Sequence, residues 1–198
     1  MIINETLLYP AYEIIGGEKI MAPSAPLGHS GILFRLAVIL GNYVMEKKSG
    51  YVFPDDVDVH LPDGSLFKPD LVVITAENVG IMNWHDAIHG VPDMVVEVLS
   101  RSTQKRDLTI KKNSYEFNGV KEYWIVDPYM EIIDVYILND GKYFLDGEYI
   151  NYTDEEFEAL PEDEKAEVKF EISPSIFPDL KIRLKDIFAW GFSNAFKK

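Results

Sequence analysis

The sequence predicts a mixed α/β (α+β) fold in which a mixed central β-sheet is flanked by helices. Residues 29–47 repeat apolar side chains at helical spacing. Shorter apolar runs, among them residues 92–100, are bounded by glycine, proline or serine, as buried strands are. A second helical segment separates the 92–100 run from a strand over residues 121–126. This β–α–β order predicts two parallel strands joined by a right-handed crossover.

The first elements along the chain are a hairpin and a helix. Residues 11–22 contain two short apolar segments on either side of a Gly-Gly pair, which is typical of tight turns. The helical repeat of residues 29–47 predicts a long helix that ends near Lys48. Residues 51–61 predict one strand with a solvent-facing side, because hydrophobic and polar residues alternate there. Residues 69–74 predict a second, more deeply buried strand.

The second half of the chain begins with the β–α–β unit. Ser102 or Thr103 can cap its helix, which runs to about Phe117. The elements expected after it are strands over 132–138 and 142–144, a turn at Asp146-Gly147, a solvated acidic helix or loop over 154–167, and a short helix over 185–190. We interpret residues 1–198 as one domain, with a core over about 28–138, an N-terminal hairpin at 11–22, and C-terminal strands with the acidic segment over 139–198.

The composition limits the classes of protein that fit. A chain of 198 residues with 47% hydrophobic and 26% charged residues is typical of a folded domain. It has no uninterrupted apolar run of membrane-spanning length and no basic, apolar start, so we expect a cytoplasmic protein without a membrane partner. Since the sequence has no cysteine, metal ligands would be carboxylates, histidines or backbone oxygens.

Charge is distributed unevenly along the chain. A net charge of −14 argues against a nucleic-acid partner, because phosphate binding depends on lysine and arginine. Half of that excess lies in residues 154–167, which hold eight acids and one lysine. Residues 101–112 hold five basic residues and one acid, a balance of +4. A nucleic acid therefore remains a possible partner at this basic segment.

One carboxylate stands inside the buried strand at 92–100. An ionised Glu97 there loses its water, which is costly unless a cation or hydrogen bonds replace the hydration. Glu97 could instead lie at a solvated strand end, or a neighbouring arginine could satisfy it. The other interpretation is that Glu97 belongs to a functional site.

Asp70 and Lys111 or Lys112 can complete such a site. Asp70 opens the strand that precedes the Glu97 strand, and if the two strands are neighbours their carboxylates can converge on magnesium or manganese. On the following helix, Leu108, Lys111, Lys112 and Tyr115 fall on one stripe, in which Leu108 and Tyr115 face the sheet. A lysine there either extends to solvent or meets an acid, and helical spacing does not choose between Lys111 and Lys112.

Short motifs along the chain occur in an order typical of one family. They are Pro69-Asp70-Leu71-Val72-Val73, Pro92-Asp93-Met94-Val95-Val96-Glu97-Val98-Leu99-Ser100, Ser102-Thr103, Arg106-Asp107-Leu108, Lys111, Tyr115, Gly119-Val120 and Glu122-Tyr123-Trp124-Ile125-Val126-Asp127, with Tyr12-Glu13, Gly17-Glu18, His29 and Phe177-Pro178-Asp179-Leu180 outside the specific block. On these residues the chain resembles the Uma-two family of restriction-endonuclease-like proteins, a branch of the PD-(D/E)XK nuclease superfamily. The resemblance implies a restriction-endonuclease-like core with additional N- and C-terminal strands.

The resemblance also implies roles for individual residues. Asp70 and Glu97 would hold Mg²⁺ or Mn²⁺, with the main-chain oxygen of Val98 as a further ligand. Leu99 occupies the usual position of the motif's lysine, which in this family lies on the following helix and favours Lys111 as the catalytic lysine. Glu18 and His29 would have accessory roles, and Arg101 replaces a proline that is common in the family.

The implied activity is metal-dependent hydrolysis of DNA by an endonuclease, with a homodimer expected because cutting both strands needs two sites. Arg101, Lys105 and Arg106 could bind flanking phosphates, although a solvated helix start is the more common explanation of such a group. The alternative is an inactive binding or oligomerisation module that keeps the fold, which the acidic composition favours. A small-molecule hydrolase is a weaker alternative, because no nucleophile motif or phosphate-binding glycine loop is present.

Overall fold

A computed structural model describes residues 12–21, 26–55, 57–100 and 104–188. The strands in this part of the chain are β1 Tyr12–Ile15, β2 Glu18–Met21, β3 Gly50–Pro54, β4 Val59–His60, β5 Leu66–Phe67, β6 Leu71–Thr75, β7 Ile88–His89, β8 Met94–Val98, β9 Glu122–Asp127, β10 Ile132–Asn139, β11 Lys142–Ile150, β12 Glu171–Ile172 and β13 Ile182–Arg183. The helices are α1 Leu27–Lys47, a 3-10 helix Ala76–Ile81, α2 Gln104–Arg106, a π-helical turn Asp107–Lys111, α3 Lys112–Asn118, α4 Asp154–Ala159, α5 Glu162–Lys165 and α6 Leu184–Ile187.

The central sheet has six strands in the order β11-β10-β9-β8-β6-β3. β8 and β9 are parallel, as the β–α–β order predicts, and the other neighbouring pairs are antiparallel. The hairpin β1–β2 lies at the edge of a smaller sheet in the order β2-β1-β5-β4-β7, and β12 pairs with β13. The mixed α/β prediction is therefore confirmed.

Two hydrophobic cores lie on opposite faces of the central sheet. Because side chains alternate along a strand, β6 and β8 contribute to both cores. The first core packs α1 against the sheet and also contains C-terminal residues, namely Ile172, Phe177, Ile182, Leu184, Ile187 and Phe188. The second core packs α3 and the smaller sheet against the other face, around Tyr115 and Tyr123.

By length and composition alone, α1 could cross a membrane, although it contains no uninterrupted apolar run of that length. In the fold, its side chains Ile32, Leu36, Leu40 and Val44 are buried against the central sheet. This arrangement is that of the core helix of a folded domain. The helix ends at Lys47, and Lys48 follows it in a left-handed conformation, which confirms the predicted end near Lys48.

The C-terminal part of the chain is joined to the central sheet by a buried carboxylate. Glu122 on β9 accepts hydrogen bonds from the indole Nε1–H of Trp124 (2.6 Å) and from both the main-chain N–H (2.7 Å) and the hydroxyl (2.6 Å) of Ser175. Burial raises the pKa of Glu122, and the bonds from Ser175 and Trp124 oppose that rise.

Three local predictions are wrong. The single strand expected over 51–61 is two strands in different sheets, because the chain leaves the central sheet after Pro54 and joins the smaller sheet at Val59. The turn expected at Asp146-Gly147 is a bulge inside β11, where Gly147 pairs with Val135 and Leu145 pairs with Tyr136. Leu108, expected to face the sheet, is 38% exposed. The predicted helix caps Ser102 and Thr103 lie outside the described residues.

Candidate active site

Asp70 and Glu97 lie opposite each other on neighbouring antiparallel strands. Leu71 on β6 pairs with Val96 on β8, and one step further along this register places Asp70 across from Glu97. Alternation puts both carboxylates on the face of the sheet that packs against α3. The sequence predicted this convergence only on the condition that the two strands were neighbours.

Glu97 is buried, with 2% of its surface exposed, and is not at a solvated strand end. Its Oε1 lies 2.9 Å from the ammonium of Lys111 and accepts a hydrogen bond of 2.9 Å from the hydroxyl of Tyr115. The cation that replaces the hydration of Glu97 is therefore a lysine. The arginine that was the alternative to a functional site is not its partner. Both partners come from the helical segment between β8 and β9.

Lys111 is the lysine that meets the acids. Its Nζ lies 2.9 Å from Glu97, 2.9 Å from Glu13 and 3.5 Å from Asp107, while its exposed fraction is 3%. Burial favours the neutral amine, but these three carboxylates outweigh it and raise the pKa of Lys111, so the side chain stays charged. Lys112 instead places its Nζ 3.5 Å from the centre of the Tyr136 ring.

A π-helical turn positions Lys111. Between α2 and α3, residues Asp107–Lys111 are wound more loosely than an α-helix. The change of period turns Asp107 and Lys111 inward and leaves Leu108 at the surface, which explains the wrong prediction for Leu108. Sequence spacing based on 3.6 residues per turn does not reveal such a turn.

Two groups hold the side chain of Asp70 in place, and both contact the same carboxylate oxygen. Its Oδ2 accepts a hydrogen bond of 2.6 Å from the main-chain N–H of Val98 and lies 3.0 Å from Nε2 of His29 on the first turn of α1. Burial lowers the pKa of His29, but the hydrogen bond and charge of Asp70 outweigh it, so the pKa of His29 is raised. His29 thus acts directly on the orientation of Asp70.

The site holds more acids than bases. The carboxylates of Glu13, Glu97 and Asp107 surround Lys111, and the guanidinium of Arg106 pairs with Glu13 at 3.2 Å, while Asp70 lies close enough to Glu97 to repel its charge. The pKa of Glu97 is raised well above its usual value by burial, which Lys111 opposes and the charges of Asp107, Asp70 and Glu13 reinforce. An additional cation would relieve this repulsion.

Comparison with known proteins identifies the family. The Uma2 family, described as "Putative restriction endonuclease", matches residues 6–166, which is most of the chain. The chain belongs to the Uma2 family. The resemblance inferred from the motifs is therefore confirmed. No protein of curated function is significantly similar in sequence to this Uma2 chain.

One solved structure shows the fold of this Uma2 protein. The crystal structure of a "putative nuclease belonging to DUF820" from Anabaena variabilis matches with a TM-score of 0.68 at 20% identity, over 91% of this chain and 91% of that chain. The restriction-endonuclease-like fold is thereby established. The type IIG restriction endonuclease BpuSI matches more weakly, with a TM-score of 0.36 at 15% identity, over 62% of this chain and 13% of that chain.

The residues of this Uma2 site fit the divalent metal that the fold implies. Among the described residues, hydrogen bonds to the two carboxylates go to Oδ2 of Asp70 and Oε1 of Glu97, which leaves the second oxygen of each for a cation. The side chain of Asp70 is 18% exposed, so a cation can reach it. Within the described ranges no three Asp, Glu or His side chains form a metal-binding group. Two carboxylates with water match the sparse protein coordination of Mg²⁺.

The other predicted site residues differ in how close they lie to this centre. Glu18 is exposed on β2. Lys105 is exposed, as expected for either a phosphate contact or a solvated helix start. Arg106 is half-buried against Glu13 instead of facing solvent. Arg101 lies outside the described residues.

Sequence reasoning missed Glu13 and Asp107. Glu13 interrupts the apolar segment of β1 in the way that Glu97 interrupts β8, so the same rule would have found it. Asp107 lies within the motif Arg106-Asp107-Leu108, but helical spacing did not predict its burial, which depends on the π-helical turn.

Proposed function

We propose that this protein is a metal-dependent endonuclease that hydrolyses phosphodiester bonds in DNA. The observation that supports the proposal is the pairing of Asp70 and Glu97 across two neighbouring strands, with the ammonium of Lys111 2.9 Å from Glu97. Membership of the Uma2 family supports a nuclease, and the basic segment before the π-helical turn supports a nucleic-acid substrate.

Each residue has a defined task in this proposal. Asp70 and Glu97 would hold Mg²⁺ or Mn²⁺ through their second carboxylate oxygens, with the main-chain oxygen of Val98 as a further ligand. The ion would act as a Lewis acid that activates water and polarises the phosphate. Lys111 would neutralise negative charge that develops on the phosphate, since its raised pKa keeps it protonated. His29 would hold Asp70 in position, and Lys105 would contact flanking phosphate.

Metal binding and cleavage can be tested separately. Mg²⁺ or Mn²⁺ should raise the Tm of the wild type and not of Asp70→Asn, which removes the ligand charge and keeps the side-chain size. Cleavage of supercoiled plasmid should be lost in Asp70→Asn and Lys111→Ala and kept in Lys112→Ala, which alters the neighbouring lysine outside the site. Circular dichroism establishes that each variant is folded. Plasmid cleavage by a folded Lys111→Ala variant would contradict the role of Lys111.

The burial of Lys111 favours a second candidate function. A lysine with 3% exposure that is paired with three acids cannot touch a substrate unless something moves. An inactive binding or oligomerisation module would keep this arrangement permanently. No metal-dependent rise in Tm and no cleavage by the wild type would argue against the nuclease and leave the module standing.

We also propose that the active form is a homodimer, since two sites are needed to cut both strands. Sedimentation velocity of the wild type should give a mass of two chains in the presence of a duplex. A monomeric complex that still linearises plasmid would contradict the dimer.

A further inference from the structure

The carboxylate of Glu13 occupies a site built from three donors. Its Oε1 lies 2.9 Å from Nζ of Lys111 and accepts a hydrogen bond of 3.2 Å from the main-chain N–H of Lys68. Its Oε2 lies 3.2 Å from Nη2 of Arg106. An ammonium, a guanidinium and an amide N–H that converge on one anion are also the groups that bind phosphate in proteins. The site is therefore an anion site that a side chain of the protein fills.

The hairpin that carries Glu13 is weakly attached to the rest of the molecule. Among the residues that the structure describes, β1 pairs with β5 of the smaller sheet at one position, Ile14 with Leu66. Among the hairpin side chains that the structure describes, only Glu13 is buried. Ile15 packs against the second core while still partly exposed, and the ion pairs of Glu13 provide much of the remaining attachment of the described hairpin. Elements with few buried contacts open at low free-energy cost.

The charge of the site favours exchange of Glu13 for another anion. With Glu13 in place, three carboxylates, those of Glu13, Glu97 and Asp107, surround the two cations of Lys111 and Arg106, and a phosphodiester that approaches is repelled. If a phosphate replaced Glu13, Arg106 and Lys111 would keep an anionic partner and one repelling carboxylate would leave. The same exchange would expose Lys111 to the substrate.

We propose that Glu13 fills the subsite for a substrate phosphate in the free protein, and that the hairpin at residues 12–21 moves away when a DNA phosphate binds Lys111, Arg106 and the N–H of Lys68. This inference rests on the proposed nuclease function, whose substrate contacts it specifies. It assigns Glu13 an autoinhibitory role.

Binding of DNA without metal tests the subsite independently of cleavage. A fluorescein-labelled duplex is titrated with protein in EDTA at fixed ionic strength, and anisotropy gives Kd. Glu13→Gln keeps the side-chain size and the acceptor for Lys68 but removes the competing charge, so it should bind about tenfold more tightly than the wild type. Glu77→Gln removes one charge from an exposed glutamate of the 3-10 helix and should bind as the wild type does. Adding Arg106→Gln to Glu13→Gln should abolish the gain.

Hydrogen exchange on the unmodified protein gives a second measurement. Saturating duplex in EDTA should speed amide exchange in residues 12–21, since the hairpin leaves its site, while the central strands β8 and β9 keep their protection. Equal or weaker DNA binding by Glu13→Gln, or slower exchange in the hairpin with DNA, would overturn the proposal. Either result would mean that Glu13 only holds Lys111 and Arg106 in place.

The outcomes also separate this inference from the nuclease function. Tighter binding by Glu13→Gln without cleavage in Mg²⁺ would support the phosphate subsite and reject the nuclease. Cleavage by the wild type with no gain in Glu13→Gln would support the nuclease and reject the subsite.

Discussion

Lys111 shows how single charged residues are stabilised inside this protein. Three carboxylates surround it, and the two nearest belong to distant parts of the chain, the hairpin and β8. Such a cluster costs desolvation free energy when it forms, and it costs more when one partner is removed and the others stay buried. The strongest effects of substitution are therefore expected at these residues.

Lys111→Met should destabilise the fold by about 3–5 kcal/mol at neutral pH, because it leaves Glu97, Glu13 and Asp107 buried without their shared cation. Lys112→Met removes a cation that lies over the Tyr136 ring and should cost about 1 kcal/mol or less. Urea denaturation of the two variants measures the difference. Equal losses would mean that the acids protonate and leave Lys111 without a stabilising role.

Asp93 should make the stability of the fold depend on pH. Burial raises its pKa, but hydrogen bonds from Lys121, Thr75 and Asn78 outweigh it, so the pKa of Asp93 is lowered. A lowered pKa contributes stability that is present above the unfolded pKa, about 4, and is lost as pH falls through the folded pKa.

Asp93→Asn should therefore cost about 2–3 kcal/mol from pH 7 to about pH 4, and the difference from the wild type should shrink below that. Asp140→Asn, in the exposed turn before β11, is the matched control and should be neutral throughout. Denaturant melts across pH give both curves. If the stability difference between Asp93→Asn and the wild type grew as pH falls, the pKa of Asp93 would not be lowered in the folded protein.

Residue types in their strands revealed part of the site in advance. Glu97 and Asp70 stand in or beside apolar strands, where a carboxylate needs a cation or hydrogen bonds in place of water. This requirement can be applied without knowing which helix supplies the partner. The choice of Lys111 over Lys112 came only from the family resemblance. The distances to Glu13 could not be predicted, because they depend on how the hairpin packs against a distant helix.

At the scale of elements, the strong hydrophobic patterns predicted type and order correctly, and the errors lie where the backbone departs from ideal geometry. The helix α1, the hairpin β1–β2 and the parallel pair β8–β9 all follow from periodicity and turn residues. The bulge in β11 and the π-helical turn each add a residue to a regular repeat, which no period of 2 or 3.6 reveals.

Two glycines in neighbouring elements should respond oppositely to alanine. Gly50 opens β3 at a φ of 153°, and a Cβ there would lie 2.1 Å from the main-chain oxygen of Ile74, so Gly50→Ala should cost at least about 2 kcal/mol. Gly41 lies inside α1 with open space at the Cβ position, so Gly41→Ala should stabilise by about 0.5–1 kcal/mol. Thermal denaturation gives the sign of each change. Stabilisation by Gly50→Ala would contradict the close approach of β3 to β6.

In the whole molecule, the central sheet separates two hydrophobic cores with different roles. The core with α1 extends to the C-terminal residues as far as Phe188, while the core on the other face supports the α3 side of the sheet, where Glu97 and Lys111 lie. Binary patterning predicted the sheet and its two covered faces. It did not predict that residues after the acidic segment complete the first core.

The hydrogen bonds between Ser175 and Glu122 have a practical consequence for expressing this domain in truncated form. The range matched by the Uma2 family ends at residue 166, but six buried side chains of the first core, from Ile172 to Phe188, come after it. A polypeptide that ends at 166 would leave the Glu122 carboxylate without its serine donors and the hydrophobic layer beside α1 uncovered. We expect it to aggregate on expression, whereas one that ends at 188 should remain monodisperse in gel filtration. Grafting boundaries for such domains should follow burial and not sequence alignment.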